Sequence, residues 1–184
     1  MTKFIGLDPF PLELDTLSQQ KDVERYAVEQ LSSHRGIRNY NHVARYIATS
    51  FQWLENDGWE TILGKLGPLI GDDVSPQTER EVAKYLVDEE NLKGLGPKQA
   101  RNLLQMMGLT RYEIPIDSRI MKWLNDVFKY PIILNPKGLS DEHYYEFVSD
   151  GIQILSKKTG IYPCELDAAI FANSDGNGWD DYKW

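Results

Sequence analysis

The 184 residues include 41% hydrophobic side chains and five tryptophans and carry a formal net charge of −8, enough apolar material for one domain or two small lobes with a packed interior, which excludes a disordered chain. No run approaches the roughly 18 apolar residues of a membrane span, and Met1–Asp8 has no basic stretch followed by an apolar one. The single cysteine, Cys164, can form neither an internal disulfide nor a four-cysteine metal or iron–sulfur site, so a cytoplasmic, monomeric protein away from membranes is expected.

Helical periodicity dominates the chain. Val23, Tyr26, Ala27 and Leu31 mark a first helix face, and Val43, Tyr46, Ile47, Ser50, Phe51 and Leu54 a second. Shorter segments follow at Trp59–Leu66 and Thr78–Leu86, the latter started by Ser75-Pro76. Ala100–Met107 comes next, then a stripe of Ile120, Trp123, Leu124, Val127 and Phe128. Tyr130–Leu134 has the composition of an extended run, but one strand makes no sheet. The cleanest stripe is Tyr144, Phe147, Val148, Gly151, Ile152 and Leu155, and a last helix begins near Pro163. Breaks are expected at Gly36, Gly58, Gly71–Asp73, Asn135–Gly138 and Asn173–Gly178. The chain reads as all-α.

Charge is unevenly spread. Gln30–Leu54 holds Arg35, Arg38 and Arg45 and no acid, while Asn91–Lys129 holds seven basic residues against three acidic ones, a surplus of four. The remainder is strongly acidic. A basic face on an acidic body is compatible with docking on a polyanion, because local charge outweighs the sum. His34, His42 and His143 are scattered and form no metal-ligand pattern.

Two stretches carry chemistry. In Leu92-Lys93-Gly94-Leu95-Gly96-Pro97-Lys98-Gln99-Ala100-Arg101, two glycines frame an apolar residue and Pro97 opens a new helix. Glycines permit positive φ and close backbone approach. The amide N–H groups of the following helix start can hold a phosphate oxygen without reading sequence. Leu95 is expected to point inward and pin the turn between its helices. In Glu113-Ile114-Pro115-Ile116-Asp117-Ser118-Arg119, an apolar extended run delivers an Asp to a helix start, where it also makes a good N-cap.

Together, a Gly-x-Gly-x-Lys hairpin and, 19 residues after its lysine, an apolar-x-apolar-Asp turn resemble the helix-hairpin-helix DNA glycosylase superfamily. The resemblance implies one glycosylase unit over residues 1–184, built as two small helical lobes with a cleft between them. Its helix-hairpin-helix motif spans about 79–107 and its Asp turn about 113–119. Lysine at position 98 is similar to the bifunctional branch, and the lack of cluster cysteines makes the chain most like compact archaeal-type 8-oxoguanine glycosylase/AP lyases.

That resemblance makes Lys98 the nucleophile and Asp117 the carboxylate that stabilises charge on the sugar or helps move the amine proton, with no cofactor and no metal. Attack needs the neutral amine, which burial and neighbouring cations such as Arg101 or Arg119 favour. Lys93, Gly94, Leu95, Gly96, Arg101 and Arg119 are the implied contacts to double-stranded DNA bearing a damaged base. The Leu31–Arg35 turn is similar to the loop where relatives wedge a side chain into the space left by a flipped base, which points to His34 or Arg35. Lys183 and Trp184 stand where compact relatives use the chain end to recognise the lesion. Three alternatives stay open: a glycosylase for oxidised pyrimidines or alkylated bases, a non-catalytic helix-hairpin-helix module, and a partner-binding helical protein with a functional acidic face.

Overall fold

The computed structural model describes Leu7, residues 10–34, Ile37 and residues 39–174. Among these residues there are nine α-helices and no strand, and several of the helices begin at a residue suited to the job. Asp22 accepts the Arg25 N–H at 2.9 Å before α2 (Val23–Ser32). Ser75 does the same for Thr78 at 3.1 Å before α5 (Pro76–Asp88). Proline opens α6 (Pro97–Met106) and α9 (Pro163–Ser174), where a missing N–H costs nothing. Asp141 caps α8 (Glu142–Thr159), which ends at Gly160 in the left-handed conformation. No helix is long and apolar enough to cross a membrane.

The chain forms two compact units. The first draws on Met1–Gly64 and Glu89–Gly94, the second on Lys65–Asp88 and Leu95 onward. In the first unit, α1 (Leu14–Ser18) precedes α2 and α3 (Tyr40–Trp53). Ala27 and Leu31 of α2 are buried with Ala44 of α3, and the two alanines are small enough to let the helices approach closely. The break expected at Gly58 is absent. Helical structure continues through a π-turn, Leu54–Gly58, into α4 (Trp59–Leu66), and a Cβ on Gly58 would lie 2.7 Å from the Trp53 ring. The Glu89–Gly94 segment is held by Ser50 Oγ, which donates to the Asn91 carbonyl at 2.7 Å.

The second unit is organised by two buried carboxylates. Glu79 of α5 accepts hydrogen bonds from Thr110 Oγ1 (2.5 Å) and from the backbone N–H groups of Arg111 (2.7 Å), Tyr112 (2.8 Å) and Glu113 (2.9 Å). Glu113 itself is fully buried. It accepts from Arg80 Nη2 (2.9 Å), Arg101 Nη2 (3.0 Å), Ser149 Oγ (2.8 Å) and Gln153 Nε2 (2.9 Å). Beyond it, Tyr145 donates to the Ile114 carbonyl at 2.9 Å and accepts the Ile116 N–H at 2.5 Å. Ile114 and Ile116 then join Ile120 and Leu124 of α7 (Ser118–Asp126) and Val148 and Ile152 of α8 in one core. The extended run expected at Tyr130–Leu134 pairs with no strand. The Asn125 side-chain amide instead bonds both the N–H and the C=O of Leu134, at 2.9 and 3.0 Å.

Removing one partner of a buried ion pair leaves the other charge uncompensated. Glu113→Ala should therefore lower stability by about 3–5 kcal/mol in urea denaturation. A loss below about 1 kcal/mol, the scale of an exposed ion pair, would show that the cluster does not hold the unit together.

Candidate functional site

The site begins with the start of α6. Gly94 adopts φ +94°, a conformation L side chains rarely take, and a Cβ there would lie 2.8 Å from the Tyr46 ring within the first unit. Gly96 is different. Its φ of −83° is ordinary extended backbone, and it serves as the N-cap residue of α6 without a side-chain cap. Lys98 follows in the first turn of α6, half-buried.

Lys98 and Asp117 line one cavity of about 400 Å³ in the second unit, together with Gly96, Ser118, Met121 and Leu139. The two residues are brought there by separate elements, α6 and the extended run that ends at α7. One cation helps to fix both. Arg101 donates to the Pro97 carbonyl at 3.2 Å and to Glu113 at 3.0 Å, tying the turn that bears Lys98 to the segment that delivers Asp117.

Asp117 is the N-cap of α7 and makes full use of its carboxylate. Oδ1 accepts the N–H groups of Arg119 (2.8 Å) and Ile120 (3.0 Å), and Oδ2 accepts Arg119 Nε (2.8 Å) and Nη2 (2.6 Å). Burial works against the charged form. The Arg119 guanidinium and the two backbone donors overcome it and hold the carboxyl below the usual range. A second carboxylate that sequence reasoning missed lies near it. Asp167 of α9 accepts from Gln105 Nε2 at 2.7 Å, and burial, with the Asp117 charge adding to it, pushes its proton affinity up. No periodicity marks an acid on a helix 50 positions further along the chain, so only the fold reveals it.

The other expected contacts fall in unlike environments. Arg101, taken as a DNA contact, is fully buried. It is paired with Glu113 and Glu142 and lies over the Tyr145 ring at 4.5 Å, so it has no surface to offer a phosphate. Arg119 spends its guanidinium on Asp117 and on the Phe171 ring, 4.1 Å away. Both cations are thus matched locally. Leu95 is half-buried, and Leu92 is the buried leucine of the turn. Lys93 is exposed. His34 closes the end of α2, its Nδ1 lying 2.9 Å from Ser33 Oγ and 3.0 Å from the Gln30 carbonyl. Arg35, Lys183 and Trp184 lie outside the described residues.

Among the described residues no group of three or more His, Cys, Asp or Glu is arranged to hold a metal ion. No family model, curated protein or solved structure matches the chain.

Asp117→Asn keeps a capping oxygen but removes the charge. The folded-state pKa of Asp117 lies below its unfolded value near 3.9, so its contribution is complete above that value and is lost as pH falls through the lower folded one. The stability difference between wild type and Asp117→Asn should be roughly 1 kcal/mol at neutral pH and shrink steadily below about pH 5. Urea denaturation at stepped pH measures this. A gap that persists undiminished to about pH 2 would mean that packing, not charge, sets it.

Proposed function

We propose that the chain is a base-excision-repair enzyme, a DNA glycosylase of the helix-hairpin-helix kind with associated AP lyase activity, acting on double-stranded DNA with an oxidised base, 8-oxoguanine first among them. The observation that carries this reading is that an amine and a carboxylate from two different elements share one cavity.

In the reaction, the neutral Lys98 amine attacks the sugar C1′ as the bond to the base breaks, and the base leaves with the electron pair and takes up a proton. The amine gives up a proton, the sugar ring opens, and the nitrogen and C1′ form a Schiff base. Loss of a proton from C2′ then expels the 3′ phosphate by β-elimination. Asp117 suits one of the two roles expected of it better than the other. A carboxylate with lowered proton affinity and four donors is a fixed negative charge, fit to stabilise a cationic sugar and poorly fit to take a proton. The amine proton therefore passes to solvent in this scheme. Phosphate oxygens are held by the N–H groups at the start of α6, which has no side-chain cap, with Lys93 supplying exposed charge nearby in sequence.

One observation favours a second reading, a non-catalytic helix-hairpin-helix module. The capping and Arg119 bonds of Asp117 account for that residue without any reaction. Borohydride trapping separates the two. A duplex carrying 8-oxoguanine should give a covalent adduct that disappears in Lys98→Gln, and Asp117→Asn should slow base removal by about 10²-fold or more while changing DNA binding little. An adduct only on an oxidised-pyrimidine duplex would keep the mechanism and replace the substrate. DNA binding without any adduct would sink the enzyme reading and leave the module.

A further inference from the structure

The second unit has another cavity, of about 460 Å³, which shares no residue with the one lined by Lys98 and Asp117. It lies where α8 gives way to α9, and its size falls within the roughly 300–1,000 Å³ of small-molecule sites. Two tyrosines form part of its wall. The rings of Tyr112 and Tyr162 are 5.6 Å apart at 73°, so the face of one meets the edge of the other, and Tyr162 remains 45% exposed. Pro76 and Pro163, the first residues of α5 and α9, add rigid apolar surface.

Two polar features of the lining lack a side-chain partner. Ser156 Oγ is shielded from solvent and has no hydrogen-bond partner. A helical serine ordinarily bonds the carbonyl a turn earlier or faces water, and this one does neither. Lys157 is the one charged residue of the lining, which contains no carboxylate. A flat apolar surface, an unsatisfied hydroxyl and an uncountered cation set three demands on an occupant: a planar ring, a polar ring edge and an anionic group.

We infer that this cavity binds a nucleotide, its base stacked on Tyr162, a ring-edge atom bonded to Ser156 Oγ and its phosphate beside Lys157. The site is independent of any chemistry at Lys98 and stands whether or not the chain acts on DNA.

Titration of the full chain with adenosine 5′-monophosphate, followed by calorimetry, tests this. Saturable binding should weaken about tenfold or more in Tyr162→Ala, where the stacking surface is lost. It should weaken about three- to tenfold in Ser156→Ala and Lys157→Ala, which remove one bond and one charge. Ser156→Ala deletes only an unsatisfied hydroxyl and should fold as the wild type does, so its result holds even if Tyr162→Ala proves unstable. Lys98→Gln should bind as the wild type does. The inference fails if no binding is seen up to about 5 mM, a free energy too small for a built site. It fails equally if Ser156→Ala and Lys157→Ala bind unchanged, if Lys98→Gln abolishes binding, or if indole, which lacks the phosphate, binds as tightly.

Discussion

A single carboxylate, that of Glu113, sets where everything else in the second unit can sit. It is fully buried and flanked by two guanidinium groups, Arg80 and Arg101, with Ser149 and Gln153 filling its remaining acceptor positions. Buried ion pairs are weak sources of net stability, because desolvation offsets most of the Coulomb gain. Their geometry is demanding, however. A misplaced helix would leave one of these charges unpaired, at a cost of several kcal/mol. The cluster therefore acts on arrangement more than on total stability. It fixes α5, α6 and α8 about one extended segment, and that segment ends at Asp117.

The same logic explains why the two residues of the candidate site stay near each other. Lys98 is on a helix start and Asp117 at the end of a loop, and loops are ordinarily the less precise place for a functional group. Here the loop is as constrained as a helix. Glu79 binds three successive N–H groups at its beginning, Tyr145 binds both backbone groups around Pro115, and Asp117 binds the first turn of α7 at its end. Arg101 closes the loop back onto Pro97, next to Lys98. A carboxylate held this way keeps its charge and its position, which serves electrostatic stabilisation and hinders proton shuttling.

Much of this was legible in the sequence, unevenly. Helical class and most helix positions follow from periodicity, and the starts at Pro76, Pro97, Asp117 and Pro163 from capping chemistry. Lys98 and Asp117 stand out because turn residues flank both. Arg101, Glu113 and Glu79 were misjudged or overlooked for one shared reason: a charge in a sequence says nothing of whether its partner arrives from 12 or 34 positions away. Arg101 looked like part of a basic surface and is interior. Asp167 was invisible for the same reason. The π-turn at Leu54–Gly58 escaped because glycine usually interrupts a helix, and here it instead leaves room for Trp53.

With Arg101 interior and Arg119 bound to Asp117, the molecule must meet a polyanion in another way. Of the seven basic residues in Asn91–Lys129, Arg101 is spent on Glu113 and Glu142, and Arg119 on Asp117. What that window offers to solvent is mainly Lys93, Lys122 and Lys129, on a chain whose net charge is −8. Few released counterions mean weak, shallowly salt-dependent attraction to any duplex. On the proposed function, then, affinity cannot come from a broad basic surface. It has to come from backbone N–H groups at the start of α6 and from a base that enters the cavity between Lys98 and Asp117, interactions that an intact duplex does not supply. An acidic repair enzyme of this kind would discriminate by what it fails to hold, leaving undamaged DNA quickly and lingering only where a base can be drawn out.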